Sequence, residues 1–190
     1  MYNLLNLNRV IEVSGESTAK LLLSSFSSHN NDVQHFVQHD AVDFASKRIA
    51  VTYVVASDDE VLGIFTLANK NVTIPAAGLS KTQEKRLKRF ATLDNSKEKY
   101  AAPAILIAQF SKNATVEKDR SIKGVDLMNI ALAVVRRIQD AVGGKLVWLE
   151  CESDNQVALN FYSGDEVGFK EFARRDSLEG PTYIQMLKWL

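Results

Sequence analysis

Residues 31–48 place Val33, Phe36, Val37, Ala41 and Phe44 at helical spacing with Asp32, Gln38, Asp40 and Asp43 between them, which predicts an amphipathic helix laying one face on a sheet. The period then changes. AVTYVVAS (50–57) and VLGIFTLA (61–68) are β-branched and aromatic runs separated by Asp58, Asp59 and Glu60, the signature of an antiparallel hairpin. After Val72, Thr73, Ile74 and Pro75, the stretch SKTQEKRLKRF opens with Ser80 and Gln83 at capping-box spacing, predicting a short helix, and DNSKEK reads as a polar loop.

Pro103 leads into AILIAQF, an apolar run of strand length that predicts a central strand buried on both faces. ATVEKDRSIKG is polar and turn-like. Over 125–142 helical spacing returns, with Leu127, Ala131, Val134, Ile138 and Ala141 on one stripe and Gly143–Gly144 as its stop. KLVWLECE is a strand, DNQVALNFYSG a short helix with Asp154 at its N-cap, EVGFKEF a strand, and TYIQMLKWL a last strand after the Gly180–Pro181 turn. A strand, a helix and a strand in succession imply a crossover between parallel neighbours, whereas the hairpin demands antiparallel pairing. The expected fold is therefore α/β with a mixed central sheet and helices on both faces. It is read as one domain, 1–190, in which 69–102 form an insertion.

Composition narrows the function classes. The 190 residues are 46% apolar and 24% charged, with 9 Gly and 3 Pro, which excludes disorder and collagen-like repeats. A chain of this length buries about 70% of its extended surface, enough for one core. Lys and Arg number 23 against 23 Asp and Glu, so a surface uniformly suited to a polyanion is excluded. The neutrality is uneven: Lys81, Lys85, Arg86, Lys88 and Arg89 put five cations within nine residues. Such a run is a solvated helix face or a local phosphate-binding patch. The single cysteine, Cys151, rules out an internal disulfide, and MYNLLNLNRV lacks the basic and apolar regions of a secretory signal. No apolar run approaches the roughly 18 residues of a membrane span. A cytoplasmic location is expected.

Candidate chemistry lies at two places. The loop containing Gly124 enters the helix of 125–142, and a helix N-terminus offers N–H groups and a dipole to a phosphate at 122–127. An ordinary strand-to-helix turn would carry the same pattern. On the later short helix Asn155, Ala158 and Tyr162 stand at i, i+3 and i+7, with Phe161 alongside. The phenol of Tyr162 is either a core aromatic's edge or an acid matched to a thiolate leaving group. His29, His35 and His39 crowd the first part of the chain without a HExxH pattern, so no metal site is read there, and Cys151 reads as a reduced packing residue.

The strand PAILIAQF, the loop SIKGVD, the strand KLVWLECE and Asn155-x-x-Ala158-x-x-Phe161-Tyr162 followed by Gly168-Phe169 occur in an order that resembles the GNAT superfamily of acetyl-CoA-dependent N-acetyltransferases. QHFVQHDAVDFA before TYVV, and IPAAGLSKTQEKRLKRF before the central strand, narrow the resemblance to the toxin–antitoxin type, whose toxins acetylate aminoacyl-tRNA. The resemblance implies a GNAT-like fold and direct transfer of the acetyl group of acetyl-CoA to a primary amine. It implies that the backbone of Phe110, Ser111 and Lys112 holds the pantetheine arm, and that the N–H groups of Ile122, Lys123, Gly124, Val125, Asp126 and Leu127 hold the pyrophosphate. Asn155, with Ala158 and Phe161 on its helix, would steady the arm, and Tyr162 would protonate the departing sulfur. No base is singled out; Glu150, Glu152 and a water chain are candidates. The implied partners are a small or macromolecular amine, tRNA, an antitoxin and a second copy of the chain, with no membrane. Ser121 and Asp126 depart from the family's loop, where Gln or Arg and Gly or Ala are usual. They keep a non-catalytic acyl-CoA-binding module open as an alternative.

Overall fold

The computed structural model describes residues 2–57, 60–177 and 180–190. Its contacts divide into two units: Met1–Ala68 with Ile107–Ala133, and Asn69–Leu106 with Val134–Leu190.

In the first unit β2 (Val51–Ser57) and β3 (Glu60–Asn69) form the expected antiparallel hairpin, with a bulge between Val55 and Ala56; Asp58 and Asp59 of its connection lie outside the described residues. β1 (Asn3–Asn6) adds antiparallel to β2, and the strand order continues β1-β2-β3-β7, where β7 is Ile105–Lys112. β1 and α1 (Leu7–Ser24) have no counterpart in the hydropathy reading. The helix is capped by Asn6 Oδ1, which accepts from the Asn8 and Arg9 N–H groups at 3.0 and 3.4 Å, and is broken at Gly15, so no single helical period runs through it. The predicted helix at 31–48 is α2 (Asn31–His35), a π turn (Phe36–Asp40) and α3 (Ala41–Ser46). The extra residue of the π turn rotates the chain so that Ala41, Val42 and Ala45 continue the buried face begun by Val33, Phe36 and Val37.

These helices pack on Val54, Val61 and Ile64 of the hairpin. The next position, Gly63, faces the other way, toward Leu127 of α5 (Gly124–Val142), so helices cover both faces of the sheet. The α5 stripe departs from expectation at its far end: Leu127, Ala131 and Val134 are buried but Ala141 is exposed, because the last turn before Gly143 runs past the core.

In the second unit the order is β7-β8-β10-β9, with β8 (Leu146–Glu152), β10 (Tyr183–Trp189) and β9 (Lys170–Arg175). β7 and β8 are parallel and the remaining pairs antiparallel, so the sheet is mixed as expected. The insertion is more ordered than its sequence implies. β4 (Val72–Pro75), β5 (Thr92–Asp94) and β6 (Lys99–Ala102) form a separate antiparallel sheet of order β4-β6-β5, so DNSKEK is the turn of a hairpin. α4 (Lys81–Leu87) begins with the predicted capping box, Ser80 and Gln83 bonding reciprocally at 2.9 and 3.2 Å. Leu87 and Tyr100 seat this layer on Leu146, Trp148 and Leu187.

Two boundaries shift. α6 (Gln156–Ser163) is capped by Asn155, whose Oδ1 accepts from Ala158 N–H at 3.0 Å, and not by Asp154, which stands one residue too early to reach that donor. The strand placed at EVGFKEF starts only at Lys170, because Val167 and Gly168 are folded back onto Gly164 O and Gly168 has φ 73°, outside the strand region. No described helix is long and apolar enough to cross a membrane.

Candidate active site

A central strand flanked by neighbours is normally covered on both faces, and AILIAQF was expected to be. β7 is central, but only Ile105 and Ile107 are fully buried; Leu106, Gln109, Phe110 and Ser111 are half-buried, and Ala108 and Lys112 are exposed. Its second half, beside the start of α5, is half-buried or exposed.

Gly63 sets that juxtaposition. A Cβ there would stand 3.0 Å from Leu127 Cδ2 and 3.0 Å from Ser111 O, so the missing side chain lets the first turn of α5 and the end of β7 close on the same point of β3. Ile122 and Leu127 are buried and fasten the loop at both ends, while Lys123 is exposed and Gly124, Val125 and Asp126 are half-buried. Leu127 N–H donates to Lys123 O at 3.0 Å, so it is already engaged; the N–H groups just before it are those that an α-helix leaves without an intrahelical acceptor. Arg120, at the end of the long turn that precedes the loop, pairs with Glu60 at 3.3 Å.

The end of β7 is tied down by a residue the sequence reading passed over. Asn113 is 4% exposed, and its Nδ2 donates to Ser25 O and Val61 O at 3.0 and 2.8 Å. Its Oδ1 accepts from Ser27 N–H at 3.0 Å and from Thr115 N–H and Oγ1 at 3.2 and 3.0 Å. Ser28 Oγ lies 3.0 Å from Ser111 Oγ, so the connection between α1 and α2 is held on the strand's final residues. An isolated Asn in a polar stretch gives no signal of this in sequence; Gly63 inside VLGIFTLA does, because a strand-interior Gly marks a close approach.

In the second unit Tyr162 lies on α6, 5.3 Å from the Phe161 ring and 6.4 Å from Phe169 in an edge-on arrangement. Burial, and then the neighbouring Cys151 thiol, raise its phenol above the ordinary value, so the group is held protonated. Asn155 and Ala158 are joined by the cap bond, so the Asn155 carbonyl oxygen is committed to the helix. Phe169 N–H donates to Tyr162 O at 2.9 Å, fixing the end of α6 to the turn at Gly168.

Two other candidates fare differently. Glu150 accepts from Arg175 Nε and Nη2 at 3.1 and 2.7 Å and from Gln185 Nε2 at 2.7 Å. Burial opposes its ionisation, but Arg175 and Gln185 outweigh that and hold the carboxyl below the usual carboxylate range, which makes it a poor proton acceptor. Cys151 is buried, and burial, with Glu152 and Asp154, pushes its thiol up to about 11, in line with a packing role. The ring centroids of His35 and His39 lie 4.6 Å apart with the planes tilted by 46°, and His35 Nδ1 lies 3.7 Å from Asp40. Of the five cations at 81–89, Lys88 pairs with Glu84 at 2.8 Å and Arg86 sits 4.5 Å over the Trp189 ring.

No protein-family model matches the sequence, and no curated protein matches it. Solved structures do. A tyrosine-to-phenylalanine mutant of the toxin KacT has a TM-score of 0.66 at 17% identity, over 99% of this chain and 94% of its own. A toxin AtaT complexed with acetyl-methionyl-tRNAfMet has a TM-score of 0.61 at 17% identity, over 97% and 94%. A tyrosine-to-phenylalanine AtaT mutant bound to the C-terminus of the antitoxin AtaR and acetyl-CoA has a TM-score of 0.57 at 16% identity, over 88% and 84%. At this identity the likeness fixes architecture: the chain has the GNAT-like fold of these toxins.

Proposed function

We propose that the chain is an acetyl-CoA-dependent N-acetyltransferase of the cytoplasm, acting as one functional domain over 1–190 with 69–102 as its insertion. The observation that carries this reading is the close packing at Gly63, which sets the half-buried end of β7 beside the start of α5. That pair offers a strand edge for the amides of a pantetheine arm, through Phe110, Ser111 and Lys112. It also offers a helix start for a pyrophosphate, through Gly124, Val125 and Asp126 between the anchors Ile122 and Leu127. Asp126 belongs to the first turn, where the helix dipole stabilises its carboxylate, and like charge requires it to point away from a bound pyrophosphate.

Transfer is direct. The amine nitrogen attacks the thioester carbon, the C–N bond forms, the C–S bond breaks, and the sulfur takes up a proton. Tyr162 is the donor in this proposal. Its raised phenol is a weaker acid than tyrosine in water, so proton transfer is effective only where the thiolate is comparably desolvated. With Glu150 clamped, the amine loses its proton to water or to Glu152.

The test is calorimetric titration with acetyl-CoA followed by turnover of Tyr162→Phe. Saturable binding, with turnover lowered about 100-fold and cofactor affinity unchanged, is the expected result. No binding at millimolar acetyl-CoA overturns the reading; binding without turnover on any amine favours an acyl-CoA-binding module instead.

A second reading, that the acceptor is the amino group of an aminoacyl-tRNA and that an antitoxin restrains the enzyme, draws on the AtaT complexes and on α4. Among the described residues Lys81, Lys85 and Arg89 make no ion pair, which leaves three cations available to phosphates. Acetylation of methionyl-tRNA that weakens steeply with salt and with Lys81→Gln/Lys85→Gln/Arg89→Gln supports it; salt-independent acetylation counts against it.

A further inference from the structure

A pocket lies wholly within the second unit, between the insertion layer and the sheet of β9 and β10. It has a volume of about 270 Å³ and is walled by Leu79 and Leu87 from the insertion layer and by Phe172 and Trp189 from β9 and β10. At the ~30 Å³ that each water occupies in the liquid, this equals about nine waters, room for a ligand of roughly ten non-hydrogen atoms. Its apolar walls favour a flat hydrocarbon body.

The charge at its rim is one-sided. Lys170 and Lys188 both line the pocket, and among the described residues neither makes an ion pair with a carboxylate. Glu171 is also there, but Arg174 already neutralises it at 2.7 Å. Arg86 covers one face of the Trp189 ring at 4.5 Å and does not line the pocket. Lys188 donates to Val167 O at 2.6 Å; burial first, then Arg136 and Lys170, hold its ammonium below the ordinary lysine range. Crowded cations of this kind are relieved by an incoming anion.

We propose that this pocket binds a small carboxylate with a flat apolar body, seated against Phe172 and Trp189 with its charge toward Lys170. The site is separate from the acetyl-transfer reading and stands or falls without it.

Phenylacetate, with ten non-hydrogen atoms, and its uncharged analogue phenylacetamide are the probes, followed by tryptophan fluorescence and by amide shifts at Lys170 and Trp189. Saturable binding of phenylacetate, at least fivefold tighter than phenylacetamide, is expected. Lys170→Gln, at an exposed position, should remove that preference while circular dichroism stays unchanged, and Leu79→Trp should fill the cavity and abolish binding of both. Equal affinity for the two probes, no saturation, a preference that survives Lys170→Gln, or binding that survives Leu79→Trp would each overturn the proposal.

Discussion

The polar network around Asn113 in the first unit and the one around Glu150 in the second hold their elements by different physics. Asn113 is neutral, almost fully buried, and bonds mainly to backbone groups of segments far apart in sequence. Glu150 is charged and lies on the sheet surface, where its partners Arg175 and Gln185 come from strands already paired with or next to its own. In the first case removal of one side chain strands several buried donors and acceptors. In the second the ladder hydrogen bonds remain and water replaces the lost contact. Low exposure, not charge, therefore decides which network is costly to break.

Asn113→Ala should show the largest effect, a loss of about 2–3 kcal/mol in urea unfolding, since Ser25 O, Val61 O and Ser27 N–H all lose a buried partner. A loss under about half a kcal/mol would place the two networks on a par.

Gly63→Ala comes next, at about 1–3 kcal/mol, because the new methyl meets the Ser111 carbonyl, which is backbone and yields little. The same variant should weaken acetyl-CoA binding, as it pushes β7 from the start of α5; unchanged affinity would separate packing from the cofactor site.

Glu150→Gln should cost about 1 kcal/mol near neutral pH, discounted for the solvent that reaches Arg175. The folded carboxyl lies below its ordinary value, so its stabilisation is complete above the unfolded value of about 4.3 and is lost as pH falls through the folded one. The gap between the wild type and the variant should therefore begin to narrow as pH falls below the unfolded value and close only below the depressed folded one, and a gap that stays constant through this acid range would contradict the assignment. Arg174→Ala, which removes a pair exposed on both sides, should leave the melting temperature unchanged.

The capping box at Ser80 and Gln83 was readable because its geometry is local: three residues' spacing suffices to place both bonds. The α5 helix and the hairpin were readable for a related reason, since one period repeated over a long run leaves little competition. Where the chain changes period within an element, sequence failed. The π turn, the break of α1 at Gly15 and the late start of β9 each interrupt a pattern that hydropathy alone carries through or misses. The hairpin of β5 and β6 was hidden by its polar composition, because its strands owe their order to Tyr100 docking on a core built from distant segments.

By itself the sequence determined the mixed α/β architecture and the order of most elements after α1, but not β1, α1 or the β5–β6 hairpin. These follow from periodicity and short-range geometry, which neighbours along the chain dictate. Only the tertiary structure decided that the second half of β7 is incompletely buried, that Gly63 lets α5 close on it, that Asn113 anchors its end, and that Glu150 is neutralised by Arg175. Each of those depends on segments 25 to 90 residues apart meeting in space, and no local pattern encodes which distant partner a buried polar group or a missing Cβ will meet.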